Sequence, residues 1–219
     1  MIPPQNRRKC RDCITISFFD SHALLYDEGV KLLFAQGNPG TKYDGTRHNV
    51  GFYMLDTFAQ AQGAIWNEKS KFHAVIAETT VEGEKVILAK PMTFYNETGK
   101  SIRALVDFYK LDPATDVLVL HDELALPFGT LRTRSSGSDA GNNGIKSLNT
   151  AIGQDYLRLR IGIWNEWRDR SNDIDFVVGK FTASEAGRLI DLYALAEPQI
   201  DHFIAGSHAD DTIKLPPTE

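Results

Sequence analysis

Cysteine is nearly missing from this chain: of 219 residues, only Cys10 and Cys13 carry a thiol. No disulfide framework is implied, and a reducing cytoplasm is the expected compartment. The pair forms one CxxC, in "RRKCRDC", with no second pair and no histidine ligand nearby. That is a weak metal signal and is read as part of a loose tail. Long apolar runs are missing too. None approaches the roughly 20 residues that a membrane span needs, and "CITISFF" is too short for a signal-peptide core and has no small-residue cleavage site. "HDEL" at 121–124 is internal and is no retention signal. Internal repeats are absent. There is no G-x-S-x-G elbow, because Ser136 stands two before Ser138. No HExxH or paired-histidine spacing suggests zinc. Positive charge is in short supply: 24 Lys and Arg against 29 Asp and Glu leave a net charge of −5. The average therefore gives no sign of a nucleic-acid partner.

The distribution of charge says more. Between Thr130 and Arg170 stand seven basic residues, Arg132, Arg134, Lys146, Arg158, Arg160, Arg168 and Arg170, against Asp139, Asp155, Glu166 and Asp169. A basic zone on an acidic protein suits a polyanion bound on one face, although charge alone fits an ordinary mixed surface as well.

The chain is long enough for one sizeable domain with its own core. "VKLLFAQ" (30–36) reads as a short buried strand ended by Gly37. Val50, Leu55, Phe58, Ala59 and Gln62 then recur at roughly helical spacing. "HAVIAETTV" and "KVILAKP" flank "EGE" as a hairpin would. Ser101 to Leu111 is an amphipathic helix carrying Ile102, Leu105, Val106 and Tyr109, and "DVLVLHD" is a further buried strand. "TLRTR" alternates and points Arg132 and Arg134 the same way. "NGIKSLNTAIG" is a short helix, "YLRLRIGIW" another alternating strand, and "DFVVGKF" is less clear. Ser184 to Ile204 is helical, with Pro198 expected to break or kink it. Interleaved strands and helices predict an α/β domain with a mixed sheet and helices on both faces. The expected layout is a loose extension over 1–29, the domain over 30–206, and a loose polar tail over 207–219.

Loops that follow strands collect sites in such a domain, and four of them hold unusual polar residues. "GNPGTKYDGTRHNVGF" carries Asn38, Tyr43, Arg47 and His48. "KPMTFYNETGKS" carries Phe94, Tyr95 and Asn96. "HDELALPFG" carries Asp122, and "SSGSDAGNNGIK" carries Asn142 and Asn143. The second imitates a phosphate loop. That motif needs a glycine five positions before its Gly-Lys, where this chain has Phe94, so nucleotide-triphosphate chemistry is rejected. What remains is one loop histidine, one aspartate after a buried strand, and several neutral amides. The set fits a general base that activates water: histidine titrates near pH 6.5 and can take a proton at neutral pH. A carboxylate on its other nitrogen would fix the tautomer, and asparagines suit an ester or peptide backbone. The plainer alternative, a histidine bonding its own loop among turn asparagines, is equally compatible with the spacing. His121 should face away from Asp122 by alternation and is assigned to structure.

These four stretches, in this order and spacing over roughly residues 31–206, resemble the bacterial-type peptidyl-tRNA hydrolase family. The resemblance implies a monomeric, cytoplasmic α/β enzyme without metal or other cofactor. It implies hydrolysis of the ester between a peptide and the 3′ ribose of tRNA, which recycles the tRNA. By motif position it implies that His48 is the proton acceptor and that Asp122 is the carboxylate stabilising it. Asn38 would separate N-blocked substrates from free aminoacyl-tRNA. Tyr43, Phe94, Asn96 and Asn143 match tRNA and peptide contacts. Arg132, Arg134, Lys146 and Arg160 fit a face for the acceptor-stem phosphates beside the 3′ CCA end. Three departures stand out: Asn142 replaces the usual histidine, Tyr95 the usual methionine, and Gln36 the usual aliphatic residue before "GNPG". Two other readings stay open, a non-catalytic RNA-binding relative of the splicing-factor kind and an esterase acting on small acyl esters.

Overall fold

The computed structural model describes residues 29–216. Cys10, Cys13 and all of the proposed extension except Gly29 lie outside them. Along the chain run β1 (Val30–Ala35), α1 (Val50–Ala61), β2 (Asn67–Lys69), β3 (Ala74–Val81), β4 (Glu84–Pro91), α2 (Gly99–Tyr109), α3 (Pro113–Asp116) and β5 (Val117–Pro127). There follow β6 (Thr130–Arg134), α4 (Asn143–Ile152), β7 (Leu157–Trp164), α5 (Asp173–Val178), α6 (Ala183–Gly187), α7 (Leu189–Ile204) and β8 (Asp211–Lys214).

The strands form one eight-stranded mixed sheet in the order β2-β3-β4-β1-β5-β7-β6-β8. β4, β1, β5 and β7 run parallel, while β2, β3, β6 and β8 extend the two edges antiparallel. The central strands are covered on both faces, which is why they read as unbroken apolar runs. Leu33, Ala35, Leu118 and Leu120 pack with α1 and α7. Their alternates Leu32, Phe34, Val117 and Val119 pack with Ile102 and Leu105 of α2 and with Ile145 and Leu148 of α4. Helices therefore lie on both faces, as expected from the interleaving. Alternation also orients the basic zone. Leu131, Leu157, Leu159 and Ile161 belong to the α1/α7 core, so Arg132, Arg134, Arg158 and Arg160 face the α4 side. There Arg132 pairs in register with Arg160, and Arg134 with Arg158.

Three expectations are corrected. The tail from Ser207 is not loose as far as Lys214: β8 closes the sheet against β6, and Asp211 N–H donates to Thr133 Oγ1 at 2.8 Å. A polar four-residue strand gives no apolar alternation to read. Pro198 does not break the last helix. α7 runs through it, held by buried Ala196, Ile200 and Phe203, and the interruption falls instead at Arg188, between α6 and α7. "HDELALPFG" is not a loop either. β5 continues through it to Pro127 beside β7, with an irregular register between Glu123 and Pro127.

Candidate active site

The site lies where the parallel strands β1, β4 and β5 present their carboxyl ends, the usual crevice of an α/β sheet. β1 delivers Asn38. The chain then makes a short 3₁₀ turn over Arg47–Asn49 that carries His48 and runs into α1. α1 presses its first turn against the strand ends. A Cβ on Gly51 would stand 2.5 Å from the Leu120 carbonyl and 2.8 Å from that of Gln36, so glycine there sets how close the histidine comes. Arg47 ties the same turn to the far side of the molecule. Its guanidinium is buried, donates to Glu185 Oε2 at 2.9 Å and to the Lys180 carbonyl at 2.6 Å, and lies over the Phe176 ring.

His48 Nδ1 is 2.9 Å from Asp122 Oδ2. That commitment leaves Nε2 as the nitrogen for solvent. Asp122 is 2% exposed. Burial by itself would raise its carboxyl. The charge and hydrogen bond of His48, helped by the Tyr95 hydroxyl, outweigh burial and hold it below the ordinary carboxylate value. The Tyr95 hydroxyl donates to Asp122 Oδ1 at 2.6 Å, and its ring stacks on the His48 imidazole with centroids 3.5 Å apart and planes 16° apart. Burial first, and the neighbouring Asp122 second, raise the Tyr95 phenol well above its ordinary value, so it stays a donor. His121, on the other face of β5, is buried and bonds the Asp122 carbonyl through Nδ1 at 2.7 Å. Burial lowers its pKa.

Asn38 is locked from three directions. Its N–H donates to Asn49 Oδ1 at 2.8 Å, its carbonyl accepts from Asn49 Nδ2 at 2.9 Å, and its Oδ1 accepts from the Tyr95 N–H at 2.9 Å. With the side-chain oxygen occupied, Asn38 offers Nδ2, a donor, to the cavity it lines.

Asn38, His48, Phe94, Asn96, Asp122 and Asn143 line one cavity of about 500 Å³. Asn96 and Asn143 also line a neighbouring open groove of about 750 Å³ between α2 and α4, which contains Lys146. Tyr43 lines neither, and lies on its own 3₁₀ turn over Thr41–Tyr43. Arg132 and Arg134 lie on β6, outside both. Arg160 reaches the site only through Glu123, whose Oε2 takes its Nη2 at 2.6 Å and its Nε at 2.9 Å. Arg158 is spent structurally. It donates to the carbonyls of Ser138 and Gly137 and so holds the loop that brings Asp139 and Asn142 to the cavity.

The family profile described as "Peptidyl-tRNA hydrolase" matches residues 32–214. The chain belongs to the peptidyl-tRNA hydrolase family. It is 40% identical over 183 residues to a peptidyl-tRNA hydrolase of Leuconostoc mesenteroides, covering 83% of this chain and 96% of that one. It is 42% identical over 156 residues to one of Fusobacterium nucleatum, covering 71% and 80%. Among solved structures, a peptidyl-tRNA hydrolase complexed with N-propanol superposes with a TM-score of 0.75 at 31% identity, covering 81% of this chain and 89% of that one. The enzyme of Acinetobacter baumannii superposes with a TM-score of 0.68 at 30% identity, covering 84% and 96%.

Sequence reasoning on this family member passed over several contributors to the site. Tyr95 was noted among its loop's residues and as a departure from the family pattern, but was given no role. Arg47 was named with its loop but given no role, and Asn49 was not singled out; both do their work behind His48. α5 brings Asp173, Ile174, Val177 and Val178 to the cavity wall. The signal for α5 was slight: "DFVVGKF" has no clear period, and the helix is only six residues long, with its first turn capped by Asn172.

Proposed function

We propose that the chain hydrolyses peptidyl-tRNA, cleaving the ester between the peptide's terminal carboxyl and the 3′ ribose of tRNA, with His48 as general base. His48 Nε2 takes a proton from a water in the cavity, and the hydroxide formed attacks the ester carbonyl. The tetrahedral intermediate collapses, the C–O bond to ribose breaks, and the ribose oxygen takes the proton from the imidazolium. The products are a peptide carboxylic acid, which gives its proton to solvent to become the carboxylate, and a tRNA with a free 3′ hydroxyl. Asp122 keeps Nδ1 protonated and stabilises the imidazolium while the charge exists. Asn143, at the start of α4, lines the cavity, and its side chain with the positive end of that helix would stabilise the oxyanion.

The observation that carries this reading is the His48–Asp122 pair at 2.9 Å in a cavity that also holds the locked Asn38. Asn38 Nδ2 would donate to a carbonyl of the peptide moiety. A free ammonium at the same place would meet a donor rather than an acceptor and would lose hydration. The basic face would take the acceptor stem: Lys146 from the groove, with Arg132, Arg134 and Arg160 along β6 and β7, and Asn96 and Asn143 at the junction. Phe94, 60% exposed at the mouth, offers a surface on which a base of the 3′ CCA end could stack. The enzyme acts as a cytoplasmic monomer in this reading. The test is release of N-acetyl-aminoacyl groups from charged tRNA. Release that depends on His48 is expected. Binding of tRNA without release would instead mark a non-catalytic relative.

A further inference from the structure

We propose that Tyr95 is a positioning residue that sets the proton affinity of the His48–Asp122 pair, with Asn142 holding its hydroxyl. Asn142 Nδ2 donates to the Tyr95 hydroxyl oxygen at 3.2 Å, and that hydroxyl donates to Asp122 Oδ1 at 2.6 Å. The carboxylate is thereby shared. One oxygen faces His48 Nδ1, and the other faces a phenol that cannot ionise in its place.

The ring has no freedom to leave. It stacks on the imidazole on one side, and a Cβ on Gly144 would stand 2.2 Å from its Cε1. Its own N–H is tied to Asn38 Oδ1. Asn142 is fixed as well, because its Oδ1 caps α4 through the Ile145 N–H at 3.0 Å. A hydrogen bond to one carboxylate oxygen withdraws charge from the other, so the bond to Tyr95 weakens the pull of Asp122 on the imidazolium. The bond from Tyr95 therefore opposes protonation of the imidazole, relative to an Asp–His pair whose carboxylate lacks it.

Few other charges face the trio. From β5 come His121 and Glu123, the latter paired with Arg160 of β7. Asp139 comes from the loop before α4, and Asp173 from α5, where it is paired with Arg168. From the histidine turn itself comes Arg47, paired with Glu185 of α6. Removing one phenol oxygen alters none of them.

The proposal rests on His48 as the base. Its test is therefore read first without substrate, as the NMR titration of the His48 ring in wild type, Tyr95→Phe and Asn142→Ser. Phenylalanine keeps the stack, and serine keeps a helix cap but cannot reach the phenol. Tyr95→Phe should raise the ring's midpoint by roughly 0.5–1 pH unit, and Asn142→Ser should raise it less. The acidic limb of kcat/KM for N-acetyl-aminoacyl-tRNA should move up with the midpoint while KM stays as in wild type. A midpoint that stays put or falls in Tyr95→Phe would overturn the proposal. A raised midpoint in a protein that hydrolyses nothing would uphold the coupling and remove only the proposed reaction.

Discussion

The cavity around His48 and the groove beside it share Asn96 and Asn143 but differ in almost everything else. The cavity is walled by Asp122, Glu123, Asp139 and Asp173, with Leu124, Phe94, Ile174, Val177 and Val178 between them, and among the described residues no lysine or arginine lines it. The groove is lined by Lys100, Arg103 and Lys146 against Glu97. In the cavity, the polar side chains nearest His48 are buried and each is held by named partners. In the groove, Lys100 is spent on Glu97 and Arg103 on Asp107, both in exposed pairs of little energetic weight, while Lys146 has no ion pair among the described residues. Fixed geometry on one side and movable charge on the other are what a hydrolase of a peptide ester on RNA requires. The reacting bond needs placement to within a fraction of an ångström, whereas the phosphates need only a favourable field.

If that contrast is right, changes in the cavity should act on turnover and changes in the groove on binding. The largest effect is expected from His48→Ala. Loss of a general base lowers kcat by about 10²–10⁴-fold, and circular dichroism should show the fold unchanged. Turnover at the wild-type rate would end the assignment. Asp122→Asn should slow the reaction less. It should also move the acidic limb of the pH–rate profile down, because the imidazolium loses its carboxylate, which is the opposite sign to Tyr95→Phe.

Behind the cavity, Arg47→Met leaves Glu185 buried without its partner. Denaturant titration should show a loss of about 3–5 kcal/mol, whereas a loss under 1 kcal/mol would mean that the turn carrying His48 is held by other contacts. Asn38→Asp should narrow the ratio of kcat/KM between N-acetyl-aminoacyl-tRNA and free aminoacyl-tRNA. It replaces the donor facing the cavity with a charge that welcomes an ammonium, and an unchanged ratio would remove Asn38 from that discrimination.

The smallest effect is expected across the groove. Lys146→Ala should raise KM severalfold, flatten its salt dependence by about one counterion, and leave cleavage of a short ester without the tRNA body as in wild type. A wild-type salt slope would place the acceptor stem elsewhere.

The parts of this architecture that were legible in the sequence share one property: their signal is local. "VKLLFAQ" and "DVLVLHD" read as buried strands because both faces are covered. The Glu82–Gly83 hairpin reads from its turn, where both residues take positive φ. His48, Asp122, Asn38, Asn96 and Asn143 stood out as polar residues in short motifs at the ends of strand patterns. What was illegible depended on partners distant in the chain. β8 exists only because β6 offers it an edge. Pro198 sits within α7 because the flanking side chains are anchored in the core. The division of the arginines into Arg158 pinning a loop, Arg160 paired with Glu123, and Arg132 and Arg134 left along β6 follows from strand register, not from composition.

The sequence by itself determined the α/β order of elements and singled out His48, Asp122 and the neighbouring asparagines as candidates, because periodicity, motif position and the ionisation chemistry of histidine are properties of short stretches. Only the tertiary structure decided which nitrogen of His48 faces the cavity and which atom of Asn38 is left to donate. The same holds for Tyr95, 27 residues before Asp122 in the chain, which comes to share its carboxylate. Each of those outcomes is a hydrogen bond between segments that meet only when β1, β4 and β5 align their carboxyl ends. A hydrogen bond has direction, and no pattern of residue types along a single strand specifies it.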